Sequence, residues 1–320
     1  MELPAPLRLA VEQALAHVPR ADLTRAAGLL SQRYRAERRD GRFHLAGDLA
    51  ALAYLATRLP ATFAAISASM SAVSQIAGEF APRTMLDVGA GPGSAMWAAA
   101  ECWPSLDDAL LIEASAPIRA LGHRLAGDIS VAKVEWQDRN LDQGLPDMPP
   151  RDLVTLAYVL DELEPPSRER LIDRLWALTG GILLIIEPGT PAGWQRILDA
   201  RTRLVALGAH LVAPCPHSAA CPVISPDWCH FSRRVARSRL HRQVKEADVP
   251  WEDEKFIYVA ASRSPVRPPA ARVLTPPRSA PGRISLKLCT DKGHLEERLV
   301  SKRDKDAYRT ARRAGWGDAI

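Results

Sequence analysis

The chain has 320 residues, 47% of them hydrophobic, with a formal net charge of +5 and a pI near 9.1; it is long enough to bury a sizeable core, which excludes the class of small scaffolds that fold only around disulfides or metals. The longest apolar stretch, residues 49–73, is broken by Arg58 and Pro60 and falls short of the roughly 18 uninterrupted apolar residues of a membrane span. The first residues carry Glu2 and a helical pattern in place of the basic patch and apolar run of an export signal, so the expectation is a soluble, cytoplasmic protein with reduced thiols.

Taken in chain order, residues 1 to about 80 predict helices: LRLAVEQALAHV, DLTRAAGLLSQRYRAERR, DLAALAYLATRL and TFAAISASMSAVSQIAGEF place apolar residues three and four apart. Asp22 and Asp48, each just before a leucine, are expected as caps. From Pro82 the pattern changes. TMLDVGAG, DALLIEAS, VAKVEWQD, DLVTLAY and GILLIIEPG are short apolar runs separated by helical stretches, the signature of a parallel sheet covered by helices on both faces. KFIYVAAS (255–262) and RISLKLC (283–289) are two further strands, expected to add an antiparallel edge to that sheet. A proline-rich connection lies between them, and VSKRDKDAYRTARRAGWGDAI ends the chain as a basic helix. No internal repeat is visible.

The charge is unevenly spread. Residues 231–320 hold 21 Lys and Arg against 11 Asp and Glu, which leaves 21 against 26 of the totals of 42 and 37 for residues 1–230. A basic carboxy-terminal part fits a polyanionic partner such as nucleic acid; a solvated arginine-rich surface is the plain alternative.

LDVGAGPGSA, residues 86–95, falls where the first strand ends and the first sheet-covering helix begins. Gly89, Gly91 and Gly93 permit a tight turn and close approach of a ligand to free N–H groups at the helix start. Ser94 stands where a dinucleotide fingerprint has its last glycine. The spacing D-x-G-x-G-x-G instead resembles motif I of class I S-adenosylmethionine-dependent methyltransferases. Glu113, closing the second strand, is placed to accept bonds from the ribose hydroxyls, as the matching residue does in those enzymes. Asp138, after the third strand, falls where that family often places an adenine contact, with a loop cap as the alternative, and Asp87 would lie toward the methionine end, with a structural role at the strand tip as its rival. After the fourth strand LAYVLDEL replaces any [DN]-PP-[YF] signature, and no strand-edge cysteine is offered for attack on cytosine. Tyr158, Asp161 and Glu162 occupy the expected acceptor edge without composing a recognisable catalytic set, so the catalytic residues are unknown. Cys102 reads as a buried helix residue.

Cys215, Cys221 and Cys229 cluster in APCPHSAACPVISPDWCHFSRR, and Cys289 comes sixty residues later. Reduced thiols clustered in this way point to metal or catalysis before disulfides. The gaps are wider than those of zinc fingers, and a four-thiolate set suits a [4Fe–4S] cluster or zinc; unrelated buried cysteines remain the alternative. His217 and His230 are reserve ligands. Arg233, Arg234, Arg237 and Arg239 come directly after the third cysteine, and Lys302, Arg303, Arg312 and Arg313 sit near the end; together they are the candidate phosphate-binding surface.

CPHSAACPVISPDWCHF, LLIIEPGTPAGWQRILDAR, EKFIYVAASR, LKLC and VSKRDKDAYRTARRAGWGD together resemble the methyltransferase-like family of small-ribosomal-subunit assembly factors. The resemblance implies an α/β fold with a class I methyltransferase (Rossmann-like) sheet. It also implies S-adenosylmethionine as cofactor, a [4Fe–4S] cluster on Cys215, Cys221, Cys229 and Cys289, and the small ribosomal subunit and its RNA as partner, with no membrane and no obligate protein partner. The expected division is a helical region (1–80), a cofactor-binding core (81–210), a cysteine-rich metal-binding insertion (211–254), and the last core strands with a basic extension (255–320). Methyl transfer to ribosomal RNA, an RNA-binding scaffold without catalysis, and a zinc-stabilised methyltransferase of another substrate are the three functional expectations.

Overall fold

A computed structural model describes residues 1–35, 45 and 47–320. Four helices open the chain: α1 (Ala5–Leu15), α2 (Arg20–Arg35), α3 (Asp48–Thr57) and α4 (Leu59–Ile76). Residues 36–39, the end of the second predicted helix, lie outside the described residues. Asp22 and Asp48 are not caps. Asp22 lies within the first turn of α2, and Asp48 is the first residue of α3 after Gly47 at the cap position; both carboxylates still complement the positive end of the helix dipole. Pro60 does not interrupt α4, because it falls in the first turn, where a missing N–H costs nothing. By length and composition α4 is apolar enough to cross a membrane, but 61% of that window is buried inside the protein.

The sheet is built in βα alternation: β1 (Thr84–Val88), α5 (Ser94–Cys102), β2 (Asp108–Ile112), α6 (Ala116–Leu125), β3 (Lys133–Gln137), β4 (Arg151–Ala157), α7 (Pro165–Ala177), β5 (Thr179–Pro188) and α8 (Pro191–Ala206). β6 (His210–Ala213), β7 (Phe231–Ala236), α9 (Arg239–Val244) and β8 (Trp251–Ser262) complete it. The strand order is β3-β2-β1-β4-β5-β8-β6, with β7 also on β8. β1 to β5 pair in parallel and β8 runs antiparallel to β5. The inner strands are unbroken apolar runs because helices cover both faces; Leu86, Val88, Leu153, Val154 and Leu183 to Ile186 are at most 1% exposed. This is the class I methyltransferase sheet.

The predicted strand 283–289 does not join that sheet. It is β11 (Arg283–Thr290) of a second, four-stranded sheet with β9 (Ala271–Val273), β10 (Arg278–Ala280) and β12 (Leu295–Ser301), and α10 (Lys305–Arg313) comes after it. The outer edge of β8 is already taken by β6 and β7, so β11 pairs with its own sequence neighbours. Ile284, Leu286, Leu288, Val273, Val300 and Ala311 form a small separate core there.

The outer edge of β8 is covered in two separate pieces. β6 covers its residues 260–262 and β7 its residues 251–256, which leaves Ile257, Tyr258 and Val259 uncovered between them. The chain linking β6 to β7 leaves the sheet over this gap, carrying Cys215, Cys221 and Cys229.

Candidate functional sites

At the tip of β1 the three loop glycines all take positive φ: 66° at Gly89, 55° at Gly91 and 85° at Gly93. At Gly89 a Cβ would lie 2.4 Å from the Val159 side chain, so no other residue fits; at Gly91 it would meet open space, so the backbone there is free for close approach of a ligand. Glu113 holds the loop. Its carboxylate accepts from the Gly91 N–H at 2.9 Å and the Ser115 N–H at 2.8 Å. Burial pushes its pKa up, and those two N–H groups pull it back. Asp138 is exposed and paired with Arg119 at 2.7 Å, and the same guanidinium donates to the Glu113 carbonyl, so the second and third strand ends are tied together.

Asp87 is 2% exposed and accepts from the Thr155 hydroxyl at 2.6 Å, while its Oδ2 is buried without a partner among the described residues. Burial raises its pKa from 3.8 to about 7 against the Thr155 bond, with Glu113 adding to the rise. Because the folded value lies above the unfolded one, the neutral form contributes stability that is present below the unfolded pKa and lost as pH rises through about 7. Asp87→Asn is therefore expected to gain stability relative to the wild type between about pH 4 and pH 8 in denaturant titrations. A difference that does not change with pH would refute this account of Asp87.

Tyr158, Asp161 and Glu162 do lie just past β4. Tyr158 takes φ 61°, a strained conformation for a bulky side chain, and its hydroxyl donates to Glu254 at 3.0 Å. Glu254 in turn pairs with Arg58 of the helical region at 3.2 Å. A partly buried network joining the turn after β4, β8 and the start of α4 thus crosses the acceptor edge. Behind it, Glu187 at the end of β5 accepts from the Leu160 N–H and pairs with Arg196 at 2.6 Å. Glu162 is raised to about 8, first by burial and then by Asp161.

The four cysteines, separated by up to 74 residues of chain, line one cavity over the uncovered stretch of β8. α8 contributes Trp194, Ile197 and Arg201, β8 contributes Ile257 to Val259, and the second sheet contributes Arg272 and Cys289. Cys289 is 6% exposed and the other three are half-buried. They lie near enough to feel one another: Cys229 is pushed well above the usual thiol range by burial and then by the charges of Cys215, Cys221 and Cys289, and Cys289 is pushed up to about 12. His217 lines the cavity with Nε2 3.3 Å from the Cys289 sulfur; His230 does not, being stacked on Trp228 at 5.1 Å. Cys102 ends α5 against the main core, away from this site. Among the described residues, no three or more His, Cys, Asp or Glu side chains converge tightly enough for a single metal ion.

Sequence reasoning missed Arg201 and Arg272. Both are buried, at 4% and 1% exposure, and neither has a carboxylate partner among the described residues. Arg201 donates to the His217 and Ala219 carbonyls, and Arg272 to those of Pro214 and Gly317. The available signal was Arg272 in AARVL, a charge inside an apolar run.

The basic residues divide. Arg234 is paired with Asp253 at 2.8 Å and Arg237 with Glu252 at 3.1 Å. Arg233, Arg239, Lys302, Arg303, Arg312 and Arg313 are exposed, with no ion-pair partner among the described residues. Trp316, beyond α10, packs edge-on against His230 at 5.0 Å.

The chain is similar to known proteins in both sequence and fold. A family described as mitochondrial small ribosomal subunit Rsm22 matches residues 48–320. The human ribosome assembly protein METTL17, mitochondrial, is 30% identical over 295 residues, covering 84% of this chain and 62% of the human protein. The Schizosaccharomyces pombe Rsm22-cox11 tandem protein 2, mitochondrial, is 24% identical across 85% of this chain and 43% of its own length. This chain thus spans less than two thirds of either relative. Among solved structures, magnesium protoporphyrin IX methyltransferase from Synechocystis PCC 6803 with bound S-adenosylmethionine has a TM-score of 0.42 at 13% identity, covering 73% of this chain and 91% of that one. An O-methyltransferase family protein from Burkholderia thailandensis also scores 0.42, at 15% identity over 68% and 60% of the two chains. These relatives overturn the cytoplasmic expectation, since the family and both curated proteins are described as mitochondrial. The expectation rested on the first residues, and a targeting segment is a removable address that the fold does not encode.

Proposed function

The chain belongs to the Rsm22 family, and on that premise we propose that it is a small-subunit ribosome assembly factor that binds S-adenosylmethionine at the glycine loop, a [4Fe–4S] cluster at Cys215, Cys221, Cys229 and Cys289, and ribosomal RNA on its basic carboxy-terminal face. The observation that carries this reading is the convergence of Cys289, from the second sheet, with three thiols from the β6–β7 connection on one cavity. The donor set has the chemistry of such a centre: four thiols and no carboxylate among the cavity-lining residues. When bound, the cluster supplies a rigid four-point tie between the two sheets.

The glycine loop fits the nucleoside cofactor equally well, with open space over Gly91 and an orphaned carboxylate oxygen on Asp87. Bound S-adenosylmethionine supplies an electrophilic methyl group. In this chain Glu113 fixes the loop and keeps lone pairs for hydroxyl donors, and Asp87 offers a carboxylate toward a cationic ligand. The acceptor side has a different character. The Tyr158–Glu254–Arg58 network engages the polar groups across that edge with one another, which supports the scaffold reading over the enzyme.

The test combines three measurements on the full chain: equilibrium binding of S-adenosylmethionine, iron and sulfide content after anaerobic purification, and affinity for small-subunit RNA at two salt concentrations. All three are expected to be positive, with no labelled methyl group appearing in immature small subunits. Arg312→Glu with Arg313→Glu is expected to weaken RNA binding across sequences and lower the salt slope by about 2, one per phosphate contact. RNA affinity indifferent to both salt and these changes would remove the RNA-binding part; labelled RNA would restore the enzyme.

A further inference from the structure

Two guanidiniums stand at the four-cysteine cavity without a counter-ion among the described residues. Arg201 comes from α8 and Arg272 from β9, and both line the cavity. Arginine stays protonated at any physiological pH, and a charge so far removed from water needs a compensating one. Among the described residues their hydrogen bonds go to neutral backbone carbonyls: Arg201 Nη2 to His217 and Ala219, Arg272 Nε to Pro214 and Nη1 to Gly317. Each also keeps a buried nitrogen with no acceptor among the described residues, Nε of Arg201 and Nη2 of Arg272. A purely structural arginine would be fully satisfied or turned to solvent. Besides the thiols, the wall holds Tyr258, pushed up to about 12 by burial, and His217, pushed down by burial.

We propose that Arg201 and Arg272 are the charge clamp of the four-cysteine centre, supplying its positive counter-charge and N–H donors to its sulfur atoms. This rests on the [4Fe–4S] reading above and adds residues that the ligand pattern does not name. A four-thiolate iron–sulfur centre is a net anion rich in sulfur acceptors, so it meets both deficits at once. The clamp also orders the ligands. Arg201 grips the carbonyls of His217 and Ala219 within the Cys215–Cys221 segment, and Arg272 grips the residue before Cys215 together with the tail at Gly317. Positive charge and N–H donors beside an iron–sulfur centre favour the more negative, reduced form and raise the reduction potential.

The experiment uses the full chain, purified without oxygen, as wild type and as Arg201→Lys, Arg201→Met, Arg272→Lys and Arg272→Met. Iron and sulfide content, the reduction potential and the rate of iron release to a chelator are measured for each, with circular dichroism to confirm the fold. The Met variants are expected to release iron on the order of tenfold faster or more and to shift to a more negative potential, because removing one partner of a buried charge pair leaves the other uncompensated. The Lys variants lose the same carbonyl geometry but keep the charge, and are expected to hold a potential near that of the wild type. A loaded, folded Met variant at either position with unchanged potential and release rate overturns the clamp alone. Lys and Met variants that lose iron equally also overturn it, since the carbonyl contacts would then be the whole role. A wild-type chain without iron and sulfide overturns the cluster reading and the clamp together.

Discussion

On the proposed cluster reading, Cys289→Ser is expected to abolish iron and sulfide binding and to loosen the second sheet from the first, the largest effect expected of any single substitution in the chain. Cys289 is the one cysteine of the four contributed by the second sheet, at the cavity-side end of β11. Its burial neighbours are few. Val223 and Leu274 form with it a three-residue apolar cluster between the two larger cores, to which Trp194, Cys221 and Cys229 add partial contacts. The junction also holds the Arg272 bond to the Pro214 carbonyl, the Lys287–Asp227 ion pair, the His217–Cys289 contact and Trp316 edge-on to His230. So thin an apolar joint gives little hydrophobic stabilisation, and metal ligation then contributes directly to folding free energy. Iron and sulfide analysis with limited proteolysis checks the result. Full iron content in the serine variant, or a second sheet as protease-resistant as that of the wild type, would contradict the assignment.

Arg196→Met is expected to cost about 3–5 kcal/mol at alkaline pH, the usual loss when one member of a buried ion pair is removed. Arg196 and Glu187 are 5% and 0% exposed, 2.6 Å apart, and Glu187 also fixes the Leu160 N–H in the turn that carries Asp161 and Glu162. Burial and then Asp161 raise the Glu187 carboxyl to about 8, and Arg196 is the main group opposing that rise. A carboxyl with a folded pKa above its unfolded value loses its contribution as pH increases through the folded value, and without Arg196 that value moves higher still. Below about pH 8 both chains hold the neutral carboxyl and the deficit is constant; it grows as pH rises above about 8, where only the wild type ionises Glu187. Glu187→Gln in the same chain is expected to recover much of it, because the unpaired charge is gone. Denaturant melts of the two variants at several pH values check this; a deficit that is constant with pH, or under about 1 kcal/mol at pH 9, excludes the ion pair as the source.

Much of the methyltransferase core was legible. TMLDV, DALLI and GILLIIEP have to be inner strands, since apolar runs of that length are stable only when covered on both faces, and three closely spaced glycines after such a strand meet a backbone requirement no other residue satisfies at Gly89. Glu113 is marked by its place at a strand end, although its visible work in the structure is on the loop's own N–H groups. Asp138 is marked the same way, and is instead paired with Arg119. The strand β12, LEERLVS, was unreadable because both its faces carry charge and no alternation of polarity survives.

The sequence by itself determined the local elements, the glycine turn and the supply of four thiols with a basic carboxy-terminal end, because periodicity, turn chemistry and composition act over a few residues. Only the tertiary structure decided that β6 and β7 share one edge of β8 and leave a gap there, that β11 belongs to a second sheet, and that Arg201 and Arg272 face the thiols without carboxylates. Strand pairing and charge compensation are choices among partners tens of residues apart, made by which surfaces remain uncovered once the core has closed, and no window along the chain contains both sides of such a choice.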